Sequence, residues 1–156
     1  MDHVAVSPKV VSFVVLVLRL VLGVVFIVAG ASKIGHADMF AAQIAGFRIL
    51  PQAVIAPMAL GLPFLEIMLG GYLILGLFTR ASAWVAVGLL FAFDAAIASA
   101  VVRGMSVSCG CFGPNDTTVT TWAEVARDAV FVLLAVIVAL RPPGALALDR
   151  RIGNAP

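Results

Sequence analysis

The chain's two cysteines stand two positions apart, in Ser108-Cys109-Gly110-Cys111-Phe112-Gly113-Pro114. Thiols this close can join in a small disulfide ring if the backbone bends enough to bring the Cα atoms within about 7 Å, and Gly110 permits the dihedrals such a bend requires. The ring would be strained, and strain makes a disulfide easier to reduce and so a better oxidant. That chemistry is electron exchange with other thiols. Three other uses of the pair stay open. A structural disulfide would close too short a loop to remove much chain entropy. Paired thiolates bind soft metal ions, but a four-coordinate zinc site needs four ligands, and neither His3 nor His36 is near the pair in sequence. No metal ligands are assigned on that ground. Two inert thiols are the remaining case.

The residues that must hold this loop are overwhelmingly apolar. Of 156 residues, 63% are hydrophobic and only 12% charged, and the mean hydropathy is +1.16. A soluble single domain could not hide that much apolar side chain; a bilayer can. The net charge of +2 is spread thinly and leaves no nucleic-acid footprint. Crossing about 30 Å of hydrocarbon takes roughly 20 helical residues. Four stretches meet that need: Val10–Gly30, Pro57–Phe78, Ala81–Val102 and Trp122–Leu140. None shows the sustained alternation of a barrel strand, and helices satisfy their own backbone inside lipid. The expected architecture is all-α, an integral membrane four-helix bundle forming a single membrane domain over residues 1–156. The first stretch ends in small residues that resemble a signal-peptidase site. It is longer than the roughly 7–15 residues of a signal core and contains Arg19, so it reads as a true first helix. The cysteine run falls among turn-formers just after the third helix.

Loop lengths and charges set an orientation. Residues 31–56 and 103–121 form two long connections on one side, while the short turn at Thr79-Arg80 lies with both termini on the other. The terminus side carries Lys9, Arg80, Arg141, Arg150 and Arg151, against Lys33, Arg48 and Arg103 opposite. The positive-inside rule then puts the N and C termini in the cytoplasm and the Cys-Gly-Cys loop outside the cell membrane, on the oxidising face. Within the first long loop, Phe40–Phe47 reads as a short interfacial helix with Phe40, Ile44 and Phe47 on one side. Lys33, Arg48 and Arg103 read as snorkelling anchors, and Trp84 and Trp122 as aromatic-belt residues. Gly23, Gly61, Gly70 and Gly88 would let helices approach closely. Pro142 and Pro143 should end the last helix and turn the tail out of the membrane.

Three ionisable residues fall deep inside the spans. At 1.5 Å per residue, Arg19 lies roughly 14 Å in from one end, and Glu66 roughly 14 Å and Asp94 roughly 12 Å from the other. A charge there costs about 2.5–3.5 kcal/mol even on a lenient scale, so the three should turn inward and meet. Arg127, about 8 Å below the outer surface, could balance the second carboxylate, although Asp128 competes for it. The group is either an Arg19–Glu66 pair that pins the bundle, or part of a path for the two protons that thiol oxidation releases.

A family resemblance gathers these features. The Cys109-Gly110-Cys111-Phe112-Gly113 run, following a helix that ends in Arg103-Gly104, resembles the MauE branch of the DoxX-like membrane proteins. Arg19, Gly23, Phe26, Gly30 and Lys33 are similar to the family's first-helix pattern, and Phe40 through Pro51 to its first outer loop. Leu62-Pro63-Phe64-Leu65-Glu66 is similar to its second helix, and Arg127 to its fourth-helix arginine, although Asp128 stands where the pattern often has Asn. The resemblance spans about residues 10–140. It implies a four-helix bundle concerned with extracytoplasmic thiol–disulfide chemistry. The MauE proteins are linked to maturation of a disulfide-rich periplasmic dehydrogenase, and DoxX relatives to quinone-linked sulfur metabolism.

The resulting expectation is a membrane thiol–disulfide oxidoreductase with Cys109 and Cys111 as its redox couple, supported by Arg19, Glu66, Asp94 and Arg127. Its partner would be an extracytoplasmic thiol or disulfide protein. No bound cofactor is required; a bilayer quinone is a candidate terminal acceptor. The rivals are a non-catalytic subunit of a larger membrane complex and a soft-metal carrier. Quinone-linked disulfide generators such as DsbB resemble relays with two cysteine pairs, whereas this chain has one. Nothing among these residues points to methylamine itself.

Overall fold

The structure, a computed structural model, describes residues 7–110, 119–141 and 146–149. Five helices follow one another: α1 (Pro8–Lys33), α2 (Ala37–Gly46), α3 (Gln52–Leu75), α4 (Thr79–Val102) and α5 (Trp122–Leu140). The all-helical reading holds, and the fifth helix is the short one expected near Phe40–Phe47. The boundaries of α1 and the starts of α3 and α4 shift outward, α3 ends early at Leu75, and α5 keeps its expected bounds. α3 starts at Gln52, not Pro57, and runs through both Pro57 and Pro63. Each proline lacks an N–H, so the carbonyls of Ala53 and Ala59 lose their usual helical donors, yet the apolar packing on either side carries the helix across.

Three of these helices, α1, α3 and α4, are long and apolar enough to cross a membrane. The expected fourth span, α5, does not qualify, and the reason is local. Its first two turns hold Glu124, Arg127 and Asp128. The uncharged remainder from Ala129 to Leu140 extends only about 18 Å, short of a hydrocarbon core of about 30 Å. α5 begins with a capping box, in which the Thr121 side chain accepts from the Ala123 N–H and the Glu124 carboxylate accepts from the Thr121 N–H. Its far half packs Ala135, Val138 and Ala139 into the main core with Leu22 and Phe26 of α1, Leu69 and Leu73 of α3, and Ala83 and Ala86 of α4.

α1 and α3 pack antiparallel at backbone distance. A Cβ on Gly23 would sit 2.9 Å from the Gly70 carbonyl oxygen, and one on Gly70 would sit 2.6 Å from that of Gly23. Gly30 similarly faces the Pro63 carbonyl. Small residues in apolar helices permit such contact, and van der Waals packing then holds the pair. Gly61 and Gly88, expected to do the same, face open space.

This register leaves about the first two turns of α3 beyond the end of α1, and α2 fills that space. Phe40 and Ile44 bury against Ile55, Ala59 and Leu62, so the apolar side of α2 faces protein. Arg103, expected as a headgroup anchor, ties the end of α2 to the end of α4: its Nη2 donates to the Phe47 carbonyl (2.6 Å) and its Nε to that of Ser99 (3.1 Å).

At the opposite end the chain's tail returns to the α3–α4 turn. Gly76 ends α3 at φ +67°, a left-handed cap, and Phe78 precedes α4 at φ +47°. Asp149 accepts hydrogen bonds from the Phe78 and Thr79 amides, both at 2.7 Å, while its own N–H donates to the Gly76 carbonyl. Arg19 lies here, with a Cβ on Gly76 only 2.6 Å from its Nη1, and not at the level of Glu66. Burial alone would raise the Asp149 carboxyl, but the bonds from the Thr79 and Phe78 amides and the Arg19 charge together hold it below the usual carboxylate range. A depressed carboxylate contributes stability above its unfolded pKa and loses it as pH falls through the folded value. Asp149→Ala should therefore cost about 1 kcal/mol, the worth of a helix cap. Thermal unfolding in detergent micelles should show this deficit near neutral pH, shrinking on acidification.

Candidate functional site

The Cys109 loop is pinched at its base. Ser108 and Val119 form an antiparallel bridge, the Thr120 N–H donates to the Val107 carbonyl (3.0 Å), and the Thr120 hydroxyl donates to that of Met105 (3.4 Å). The neck fixes the entry of Cys109, which is 4% exposed and packed with Phe47, Ile97 and Ala100. Its sulfur is disulfide-bonded. Cys111, the other half of the expected couple, lies outside the described residues, as does the rest of the Cys-Gly-Cys run after Gly110.

Two side chains meet the loop from the helices. Arg127, on the second turn of α5, directs Nη2 at the Cys109 sulfur (4.0 Å) and Nε at Asp128 Oδ1 (2.8 Å). Asp128 is 7% exposed, so the carboxylate that looked like a competitor for Arg127 forms a guanidinium-bridged group with it and the sulfur. From α2, the Gln43 amide lies against Gly110, in the space a Cβ would fill. Gly110 has φ +65°. A side chain there would thus meet both a strained backbone and Gln43. Gln43 Oε1 is buried without a hydrogen-bond partner among the described residues.

Gln43, Phe47 and Cys109 line an apolar slot of about 190 Å³ that runs between α3 and α4 past Met58 and Phe93. Leu89 and Phe93 are shared with a second, smaller cavity of about 50 Å³, whose polar walls are Lys33, Glu66 and Asp128.

Glu66 therefore finds a cation, but not the expected one. Lys33 Nζ donates to both of its carboxylate oxygens, at 3.0 and 2.9 Å, and also stands 5.3 Å from the centre of the Phe40 ring. Lys33 is 2% exposed, far from the snorkelling anchor expected at a helix end, because α2 and the overhanging start of α3 cover it. Arg19, expected to pair with Glu66, is held at the other end of α3; its Nε and Nη1 have no hydrogen-bond partner among the described residues. The negative end of the α3 dipole and Asp149 supply its balancing charge. Asp94 feels the charge of Asp128, and its Oδ1 has no partner among the described residues. Of the four expected supporting residues, Arg127 adjoins the sulfur, Glu66 and Asp94 lie deeper, and Arg19 is remote.

Comparison with known proteins bears on the same stretch of chain. The family described as methylamine utilisation protein MauE matches residues 11–141. The chain belongs to the MauE family. The Methylamine utilization protein MauE of Paracoccus denitrificans is 33% identical over 130 residues, covering 83% of this chain and 70% of that protein. Its counterpart from Methylorubrum extorquens is 35% identical over 131 residues, covering 81% and 70%. No solved structure matches.

Two residues of this MauE-family site escaped the sequence reading. Gln43 had a visible signal, a lone amide among Phe40, Ile44 and Phe47 on an otherwise apolar helix face. Lys33 was read as part of the first-helix pattern and as an anchor, but its depth depends on how far α3 overhangs α1, which only the packing reveals. The Lys33–Glu66 pair gives a sharp expectation. Lys33→Met should strand a buried carboxylate at a cost of about 3–5 kcal/mol. Lys33→Met combined with Glu66→Leu should recover most of that, as read by thermal unfolding in micelles.

Proposed function

We propose that this MauE-family protein is a membrane thiol–disulfide exchange protein in which Cys109 and Cys111 form the redox couple. One observation carries the reading: a guanidinium stands 4.0 Å from a buried, disulfide-bonded sulfur. A cation so placed favours the thiolate, the form that attacks a disulfide or leaves from one. In the exchange, a partner thiolate attacks one sulfur of the pair, and the other departs as a thiolate. A second partner thiol then resolves the mixed disulfide, so two electrons pass from the partner to the pair; the reverse sequence delivers them.

The setting supports an extracytoplasmic partner. In this reading α5 joins α1, α3 and α4 as a fourth span, since Arg127 and Asp128 neutralise each other and remove the main obstacle to its insertion. The four helices form a bundle, and the charge bias places the termini in the cytoplasm and the cysteine loop on the oxidising side of the cell membrane. The apolar slot beside Cys109 supports a bilayer quinone as the terminal acceptor. Ile49, Leu50 and Met58 on its wall are exposed, the residues fit a lipid-soluble ring, and Gln43 could hold a ring oxygen. When bound, a quinone takes up two electrons and two protons. The relatives are named for methylamine utilisation, and we extend that process to this chain through the thiol chemistry of a protein partner.

The test is the redox state of the pair in native membranes. Cys109→Ser and Cys111→Ser should each leave the protein assembled. At least one should accumulate a mixed disulfide with an extracytoplasmic protein, seen as an alkylation-sensitive shift on non-reducing gels. If both variants are tolerated and the protein co-purifies with a complex, it is an accessory subunit. Stoichiometric metal on the reduced protein alone would instead mark a soft-metal carrier.

A further inference from the structure

The α3–α4 turn holds more hydrogen-bond donors than the carboxylate at its centre can use. α4 is 24 residues long, and its N-cap residue Phe78 provides no side-chain cap. A carboxylate 70 positions on from Thr79 does that work: Asp149 Oδ1 accepts from the Phe78 N–H and Oδ2 from the Thr79 N–H, both at 2.7 Å. Three buried polar atoms here stay unsatisfied. They are Nε and Nη1 of Arg19 and the Thr79 hydroxyl, which have no hydrogen-bond partner among the described residues. Arg19 and Thr79 are each 1% exposed. The guanidinium lies against Gly76, where a Cβ would come within 2.6 Å of Nη1 and 2.7 Å of the Ala147 Cα, and it feels the charge of Asp149. Buried donors without acceptors weaken a fold. The carboxylate accounts for the two amides and leaves the other three donors unexplained.

A tetrahedral anion accounts for all five. A terminal phosphate has three free oxygens and a charge of about −1.5 to −2 at pH 7, where a carboxylate has two oxygens and a single charge. A helix N-terminus attracts phosphate through its free amides and its dipole, and an arginine adds charge-assisted bonds. Charge at this end of the molecule is complementary. Arg80 in the first turn of α4 and Arg141 just after α5 are exposed there, beyond the buried Arg19. Asp149 is the sole carboxylate at that end among the described residues.

Independently of the cysteine chemistry, we propose that the α3–α4 turn is a binding site for a terminal phosphate group, whose place Asp149 takes when the tail is docked. The Phe78 and Thr79 amides, the Thr79 hydroxyl and Arg19 form the site. The phosphate is the monoester headgroup of phosphatidic acid or the free ion, since both present three or more terminal oxygens. The docked tail is able to yield. Besides the carboxylate, it is held by the Asp149 N–H, which donates to the Gly76 carbonyl at 3.1 Å, and by the burial of Ala147. Leu146 stands exposed at φ +60°, a conformation that L side chains rarely adopt. Lifting residues 146–149 uncovers Arg19, relaxes Leu146 and hands the two amides from carboxylate to phosphate. One anion replaces another, so Arg19 is not left without a counter-charge.

The full-length protein in maltoside micelles and phosphate-free buffer tests this, with bound lipid measured by native mass spectrometry and stability by thermal unfolding. Phosphatidic acid should bind about tenfold more tightly than phosphatidylglycerol, whose phosphodiester has two terminal oxygens and so loses a charge-assisted hydrogen bond. Asp149→Ala, though less stable without lipid, should bind phosphatidic acid about fivefold more tightly than wild type. The competing carboxylate is gone, and the open form is more populated by the worth of one helix cap. Thr79→Val should weaken phosphatidic acid severalfold, with its melting temperature in plain micelles as the check on folding.

Inorganic phosphate in place of lipid separates the two sources. Stabilisation by the ion, with no preference between the lipids, makes the free ion the occupant. A preference for phosphatidic acid without stabilisation by the ion makes it the headgroup. Neither effect in wild type, which needs no variant to fold, overturns the proposal. So does an Asp149→Ala variant that binds neither phosphate nor phosphatidic acid more tightly than wild type, because Asp149 would then be a helix cap and nothing more.

Discussion

Charges in this protein are held where their partners allow, and their partners are set by helix register. The Gly23–Gly70 contact brings α1 and α3 to backbone distance and thereby fixes which residues lie level. At that register Lys33 meets Glu66 deep within the structure, and Arg19 meets the α3–α4 turn and the returning tail. A slip of one turn, about 5.4 Å, would separate Lys33 from Glu66 and drive Arg19 away from Asp149. Both outcomes strand charges in apolar surroundings. Small-residue packing and ion pairing therefore enforce the same alignment. Packing alone is non-directional, whereas a stranded buried ion makes a wrong register costly.

The same alignment creates the space around the cysteine. Because α3 overhangs α1, α2 has a surface to pack on, and its Phe40, Ile44 and Phe47 turn inward. That places Gln43 against Gly110 and Phe47 against Cys109. Arg103 fastens the end of α2 to α4, and the Ser108–Val119 bridge closes the loop's neck. Cys109 is thus held by three separate elements, α2, α4 and the start of α5, although the loop that carries it is rich in turn-forming residues.

The sequence was most legible where chemistry is local. The helical class, the short helix around Phe40–Phe47 and the start of α5 at Trp122 all follow from apolar run length and turn residues. The resemblance to MauE read over about residues 10–140 agrees with the family match over residues 11–141. Partner choice was not legible. Depth counted along a single helix put Arg19 and Glu66 at one level, but depth among packed helices is measured against neighbours, and α3 is offset from α1 by about two turns. Lys33 looked like a surface anchor for the same reason. The α3 start was misplaced because Pro57 reads locally as a first-turn residue, whereas packing against α2 extends the helix beyond it.

Arg19, which is buried, and Arg127, whose side chain is 35% exposed, mark a difference between the ends of the molecule. Arg19 sits beside the α3–α4 turn, where it feels the charge of an Asp149 carboxylate already committed to two backbone amides. Arg127 meets a carboxylate through Nε and a disulfide-bonded sulfur through Nη2. The first arrangement ties the returning tail to the α3–α4 turn, and the second brings a permanent cation to the base of the cysteine loop.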